Sequence, residues 1–173
     1  IEKIADHTSL VIDFGGGIKT DGDLDIAFAS GASLVTIGSI AVKNPELFES
    51  WVERFSPQKV ILGADVKNGF ISISGWQEEA DNQLMPFLKK HTEGGIENVL
   101  CTDISKDGML EGPAIELYKE IMAAFPDMHL IASGGVSCIE DIEALNAAGI
   151  PAVVFGKAFY EGRISMEELT RFL

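Results

Sequence analysis

Short runs of apolar, often β-branched residues recur along the chain, with polar, helix-like stretches between them. Continuous apolar runs of this kind are typical of parallel strands that are buried on both faces. The pattern therefore predicts six strands, at 10–14, 34–37, 59–64, 98–102, 129–132 and 152–155. The alternating segment 69–76 predicts an extra hairpin strand inside a long loop.

The stretches between the strands carry recognisable helix starts and stops. Three residue pairs match the capping box, in which a hydroxyl residue and an acid three positions later cap one helix: Thr20/Asp23, Ser137/Glu140 and Ser165/Glu168. Asn44-Pro45 and Gly112-Pro113 each fit a cap followed by proline at the first helical position. Strands and helices thus alternate, which predicts a parallel sheet, either doubly wound or closed into a barrel.

An internal repeat separates these two architectures. Residues 11–41 match residues 129–159 at a constant offset of 118, and identical pairs include Gly16/Gly134 and Gly38/Gly156. The offset spans four strand–helix units, which suggests two half-barrels of an eight-stranded (β/α)₈ TIM barrel. A six-stranded doubly wound sheet is the alternative, although an offset of four units has no natural role there.

The barrel interpretation needs two more units than the chain shows. Ile1, Ile4 and Ala5 have helical spacing and resemble the last turns of a helix rather than a natural start. We therefore expect residues 1–173 to be a single, N-terminally incomplete barrel domain that supplies strands 3 to 8. The first two units would add roughly 60–70 residues before it.

Composition then narrows the class of protein. Hydrophobic residues make up 46% of the 173, which excludes a disordered chain. The net charge of −14 argues against a nucleic-acid surface. No apolar run reaches the ~18 residues of a membrane span, and no secretory signal is visible. Two cysteines make no disulfide framework, so we expect a reduced, cytoplasmic protein.

Glycine pairs at strand ends are candidate phosphate sites. Glycine lets a ligand approach the backbone closely, and the helix that follows offers free N–H groups to an anion. Each repeat supplies one such set: Gly16, Gly17, Gly38 and Ser39, and then Gly134, Gly135, Gly156 and Lys157. Half a barrel separates the two sets, which predicts an elongated ligand with a phosphate at each end. Tight strand–helix turns, or a relic of duplication in one half, are the alternatives.

Two aspartates end the strands between these glycine sets. Asp65 and Asp103 lie where barrel active sites are built, and a carboxyl group there can act as a general acid or base. A loop cap is the alternative for each. Thr102 could orient a substrate hydroxyl or fill the strand end. Trp76, in the long loop after Asp65, could stack on a substrate ring or pack within its own hairpin.

No histidine–cysteine cluster has the spacing of a metal site, so we expect no metal and no cofactor. His7, His91 and His129 are scattered and are interpreted as structural or surface residues. Cys101 fits a strand core. Cys138, near a helix start, lacks an evident histidine partner.

Together these motifs resemble the phosphoribosylformimino-aminoimidazole carboxamide ribotide isomerases of histidine biosynthesis, over essentially the whole chain. The matching segments are DFGGGIKT (13–20), VTIGSIAVKNPEL (35–47), GADVKNG (63–69), SGW (74–76), TDISKDGMLEGP (102–113), ASGGVS (132–137) and VFGKAFYEG (154–162). The cyclase subunit of imidazole glycerol phosphate synthase is the nearest related family. DGMLEGP and GKAFYEG favour the isomerase, although Met109 stands where the isomerases commonly have threonine.

The resemblance implies an Amadori rearrangement, in which an aminoaldose with two phosphates opens and becomes an aminoketose. It implies that Asp65 donates the proton, with Asp103 as second choice, and that the glycine sets and Lys157 bind the phosphates. The family's general base is an aspartate on the first barrel strand, so no residue of this sequence takes that role. A small bisphosphate substrate, a monomer, and no nucleic-acid or membrane partner are expected. A non-catalytic phosphate-binding fragment remains the alternative from a different class.

Overall fold

Six parallel strands lie side by side in a computed structural model that describes residues 1–73 and 78–172, with the backbone alone at 78–81. With an antiparallel pair, β4 and β5, they make eight strands among the described residues: β1 Asp13–Gly15, β2 Leu34–Ile37, β3 Val60–Lys67, β4 Phe70–Ile73, β5 Glu78–Gln83, β6 Asn98–Asp103, β7 His129–Ser133 and β8 Ala152–Val154. The parallel sheet has the order β1-β2-β3-β6-β7-β8. A doubly wound sheet reverses its order at a switch point. The unbroken order here belongs to a curled barrel wall, so the doubly wound alternative is wrong.

Helices follow the parallel strands, as the alternation predicts. They are α1 Glu2–His7, α2 Asp21–Ala29, α3 Ser39–Lys43, α4 Pro45–Phe55, α5 Leu84–Glu93, α6 Ile115–Ala124, α7 Ile139–Ala147, α8 Lys157–Tyr160 and α9 Met166–Leu169. Short 3-10 turns lie at Pro57–Lys59 and Thr170–Phe172. The architecture is therefore an α/β half-barrel of the TIM-barrel type.

Three of the predicted helix starts are confirmed by their hydrogen bonds. The capping boxes of Thr20 with Asp23 and of Ser165 with Glu168 are both reciprocal. The Asn44 side chain accepts from the Leu47 N–H, ahead of a proline at the first helical turn. These local signals hold because each cap needs only residues within one turn of its helix.

Two of the predicted helix starts differ from the observed ones. In α7 the first helical residue is Ile139, and Ser137 bonds Asp141 instead of Glu140. In α6 the first helical residue is Ile115, two positions beyond Pro113. Both departures follow strands whose loops pack against each other, so tertiary contacts override the local signal.

The first strand is shorter than predicted. β1 pairs only with β2 among the described strands, and its ladder begins where Asp13 faces Leu34. Leu10 and Val11 precede that point and are 66% and 73% exposed. The apolar run from 10 to 12 therefore lies at an open edge of the sheet.

The extra hairpin strand is confirmed where the structure describes it. β4 runs antiparallel to the end of β3, with Val66 opposite Ile71, and β5 pairs with β4 in turn. This pairing extends β3 to Lys67, beyond the predicted limit of 64. Residues 74–76 of the predicted strand lie outside the described residues.

The hydrophobic core lies between the sheet and its helices. Val60, Leu62, Ala64 and Val66 alternate along β3, and each is at most 2% exposed. They belong to one cluster with the fully buried Trp51 of α4. Because side chains alternate along a strand, Gly63 and Asp65 point to the opposite, inner face.

Candidate active site

The predicted site residues meet at one rim of the sheet. Parallel strands place all their carboxyl ends at the same edge, which is where α/β barrels bind ligands. This rim carries, in strand order, Gly16 and Gly17, Gly38 and Ser39, Asp65, Thr102 and Asp103, Gly134 and Gly135, and Gly156 and Lys157. Trp76 lies outside the described residues.

The two glycine pairs have the same backbone conformation. Gly16 and Gly17 have φ angles of +91° and +79°, and Gly134 and Gly135 have +96° and +85°. These values lie in the left-handed region, which glycine enters without steric cost. The internal repeat is thus a repeat of local structure as well as of sequence.

The helix starts behind the glycine pairs also repeat. Asp23 Oδ2 accepts the Lys19 N–H at 2.9 Å, and Asp141 Oδ2 accepts the Ser137 N–H at 2.8 Å. Both bonds span four residues at positions related by the 118-residue offset. The backbone N–H of Lys19, and next the Thr20 hydroxyl, lower the pKa of Asp23. Each acid therefore fixes the turn between its glycine pair and the helix that follows.

The second glycine pair is packed against a loop. A Cβ at Gly134 would lie 3.0 Å from the Asp103 carbonyl oxygen, and one at Gly135 would collide with the Gly112 carbonyl oxygen. The loop of residues 104–112, which follows β6, therefore packs on the second pair. At the first pair, no described atom beyond the adjacent residues lies within 4 Å of a Cβ built at Gly16 or Gly17, and the positions that correspond to this loop at the 118-residue offset lie before residue 1.

The companion glycines begin two short helices. Gly38 and Gly156 are the N-caps of α3 and α8, and neither receives a side-chain cap. A Cβ at Gly38 would lie 3.2 Å from the Gly63 carbonyl oxygen, so the glycine permits close packing of β2 on β3. Lys157 Nζ donates to the Gly108 carbonyl oxygen at 2.7 Å and lies 4.0 Å from a Glu161 carboxylate oxygen.

Register places Thr102, rather than Asp103, beside Asp65. Asp65 faces Thr102 across the β3–β6 ladder, and Asp103 faces Val66. Residues that pair across parallel strands share a face, so Asp65 and Thr102 both point inward. Asp103 Oδ1 instead accepts from Ser105, from its N–H at 3.0 Å and its hydroxyl at 2.6 Å. The loop-cap alternative therefore fits Asp103.

A second polar pair on the inner face was missed by sequence reasoning. Thr36 Oγ1 donates to Asp13 Oδ2 at 2.7 Å, joining β1 to β2. Partial desolvation raises the pKa of Asp13, and the Thr36 hydroxyl offsets part of that rise. The signal was available, because an acid stands at the end of an apolar run, three residues before the first glycine pair.

Cys101 lies in the core of the protein. Cys101 is fully buried, and burial raises the pKa of its thiol, with smaller contributions from the Asp65 and Asp103 charges. Cys101 is therefore core, as predicted.

Across residues 1–73 and 78–172, no group of three or more His, Cys, Asp or Glu residues is placed to hold a metal ion. No described helix is long and apolar enough to cross a membrane.

Comparisons with known proteins agree with the motifs. Residues 1–165 match the family model described as histidine biosynthesis protein. The chain is 62% identical, over 173 residues, to a 1-(5-phosphoribosyl)-5-((5-phosphoribosylamino)methylideneamino) imidazole-4-carboxamide isomerase from Phocaeicola vulgatus. It is 60% identical to the isomerase of that name from Parabacteroides distasonis and 49% identical to the one from Flavobacterium johnsoniae. The alignments cover at least 99% of this chain and 72% of each relative. The chain therefore belongs to the histidine biosynthesis protein family.

Proposed function

We propose that this chain carries the active site of an aldose–ketose isomerase of histidine biosynthesis, acting on the bisphosphate named in its relatives. The observation that carries the proposal is the arrangement of one rim, where Asp65 and Thr102 lie between two glycine pairs of matching conformation. The relatives' name favours the isomerase over the related cyclase.

The substrate's two phosphates fit the two glycine sets. Each pair is followed by a nine-residue helix, α2 or α7, whose first N–H groups and positive dipole end favour an anion. The sets belong to strands on opposite sides of β3 and β6 in the sheet order. A molecule held at both ends would therefore place its sugar above the inner face of β3 and β6.

The chemistry needs one acid and one base. The acid protonates the ring oxygen, the bond from that oxygen to C1 breaks, and the nitrogen lone pair forms a C1–N double bond. The base then removes the C2 proton, which leaves an enolamine with a hydroxyl group on C2. This enolamine takes a proton at C1 and loses the proton of its C2 hydroxyl, which gives the ketone at C2. Asp65 is our choice for the acid, with Thr102 orienting the substrate, because the Asp103 carboxylate caps its own loop.

The base would come from outside this chain's described sheet. We propose that two further strand–helix units close the barrel between β8 and β1, and that the first of them carries the basic carboxylate. Two observations support this proposal. Val11, just before β1, and Val154, on β8, are apolar and exposed at the two edges of the parallel sheet. The chain also matches 72% of the length of its relatives. The closed barrel would act as a cytoplasmic monomer without a metal or cofactor.

The test compares Asp→Asn variants in the full-length protein. Asp65→Asn keeps the shape of the side chain but removes the proton donor, so kcat should fall by roughly 10²-fold or more. Asp127→Asn, at the amino end of β7, is the matched control and should keep the wild-type kcat. An unchanged kcat for Asp65→Asn removes that residue from the mechanism, and a larger loss in Asp103→Asn transfers the acid role to Asp103.

A further inference from the structure

The 104–112 loop is bonded at its two ends. At its start, the N–H groups of Lys106 and Asp107 donate to the Asp103 carbonyl oxygen at 3.0 and 3.1 Å. At its end, the Gly112 N–H donates to the Gly135 carbonyl oxygen at 2.9 Å. The loop is therefore anchored to the end of its own strand and to the second glycine pair.

The middle of the loop contacts a residue from another unit. Gly108 and Leu110 have φ angles of +70° and +57°, so this part of the loop is sharply turned. Positive φ costs a leucine conformational energy that surrounding contacts must offset. Leu110 packs against the core, and Lys157 Nζ donates a 2.7 Å hydrogen bond to the Gly108 carbonyl oxygen from another unit.

That hydrogen bond joins two units that are not adjacent in the sheet. Lys157 begins the helix after β8, and Gly108 lies in the loop after β6, whereas β7 lies between these strands in the sheet order. The same loop packs on Gly134 and Gly135, which follow β7. The bond from Lys157 therefore holds the loop across the second glycine pair.

We propose that Lys157 is a positioning residue that fixes the 104–112 loop over the second glycine pair before any substrate binds. The proposal rests on the proposed function in one respect, since it places this loop at the rim of the substrate site. A lysine that served only as a phosphate ligand would contribute nothing to the loop in the free protein. The ammonium group has three donors, so the bond to Gly108 leaves two for a phosphate that arrives later.

Amide hydrogen exchange of the substrate-free, full-length protein tests the proposal directly. Lys157→Met keeps the length of the side chain and removes its donors, so amides of the 104–112 loop should exchange about tenfold faster or more. Lys157→Arg keeps a donor and should retain most of the protection. Lys119→Met is the matched control, because its side chain is 49% exposed against 51% for Lys157 and it ion-pairs within α6.

The outcomes separate positioning from phosphate binding. Faster exchange confined to the 104–112 loop in Lys157→Met, and absent in Lys119→Met, supports the proposal. Unchanged loop exchange together with a raised KM makes Lys157 a phosphate ligand alone and overturns it. Equal acceleration throughout the protein also overturns it. Because exchange is measured without substrate, a protein that lacks isomerase activity would disprove the proposed function and leave this test intact.

Discussion

At the scale of single residues, His91 is a buried histidine in an apolar environment. It is 3% exposed, and its ring lies edge-on to Phe48 and Phe87, with centroids 5.1 and 4.6 Å away. Its Nε2 atom has no hydrogen-bond partner among the described residues. Burial, and next the Lys90 charge, lower the pKa of His91 to about 4, while the Glu49 charge acts in the opposite direction. The imidazole is therefore neutral in the folded protein at pH 7.

This environment predicts acid-sensitive stability. The unfolded chain binds a proton at His91 near the usual pKa of ~6.5, and the folded protein resists it until about 4. The free energy of unfolding should therefore fall as the pH drops from about 6.5 to about 4, by roughly 2 to 3 kcal/mol at pH 4.5 from this group. In His91→Leu, the free energy of unfolding should depend less on pH over this range, as measured by denaturant titrations at each pH. The exposed His129→Leu is the control, and an equal loss of pH dependence there would show that burial is not the cause.

Register is the residue-level property that sequence could not supply. The TDISKDG segment places a threonine and an aspartate next to each other, and both are chemically suitable. A shift of one residue in strand pairing turns every side chain to the other face. The inward choice of Thr102 over Asp103 therefore depends on pairing with Asp65, which only the folded sheet defines.

At the scale of elements, the prediction from sequence was strongest where the signal was local or repeated. The apolar runs located all six parallel strands, and the 118-residue repeat anticipated two glycine pairs of the same conformation. It did not anticipate that the 104–112 loop packs on Gly135, because a contact between the loops of neighbouring units leaves no periodic trace in the sequence.

The open β1–α2 turn offers a test of phosphate binding with a closely matched control. Asparagine and aspartate both tolerate positive φ and have nearly the same shape, so Gly17→Asn and Gly17→Asp should strain the turn equally. Only Gly17→Asp adds a negative charge where a phosphate would bind. Its KM for the bisphosphate should exceed that of Gly17→Asn by about tenfold or more, since like charges at contact repel by at least ~1.4 kcal/mol. Equal KM values in steady-state kinetics would place the phosphate elsewhere.

At the scale of the whole molecule, charge and sheet edges set the remaining constraints. The net charge of −14 opposes an anionic substrate, so the local helix starts and backbone N–H groups must hold the phosphates against the overall field. The sheet order leaves β1 and β8 with one parallel neighbour each among the described strands. Exposure of apolar side chains at unpaired strand edges is unfavourable in water, and we therefore propose that further strands cover these edges.

Two exposed apolar residues distinguish barrel closure from an open sheet. Val11 continues the inner-face alternation of Asp13 and Gly15, and Met109 lies on the loop after the central strand β6, and the two are 73% and 57% exposed in this chain. If two further units close the barrel between β8 and β1, Val11 becomes buried in the full-length protein, whereas Met109 is away from the closing edges. Val11→Asp should then lower the free energy of unfolding by roughly 3 kcal/mol or more, because it buries an unpaired charge. Met109→Asp should cost about 1 kcal/mol or less, and equal costs for both variants in chemical denaturation would mean that the edge beside β1 stays open to water.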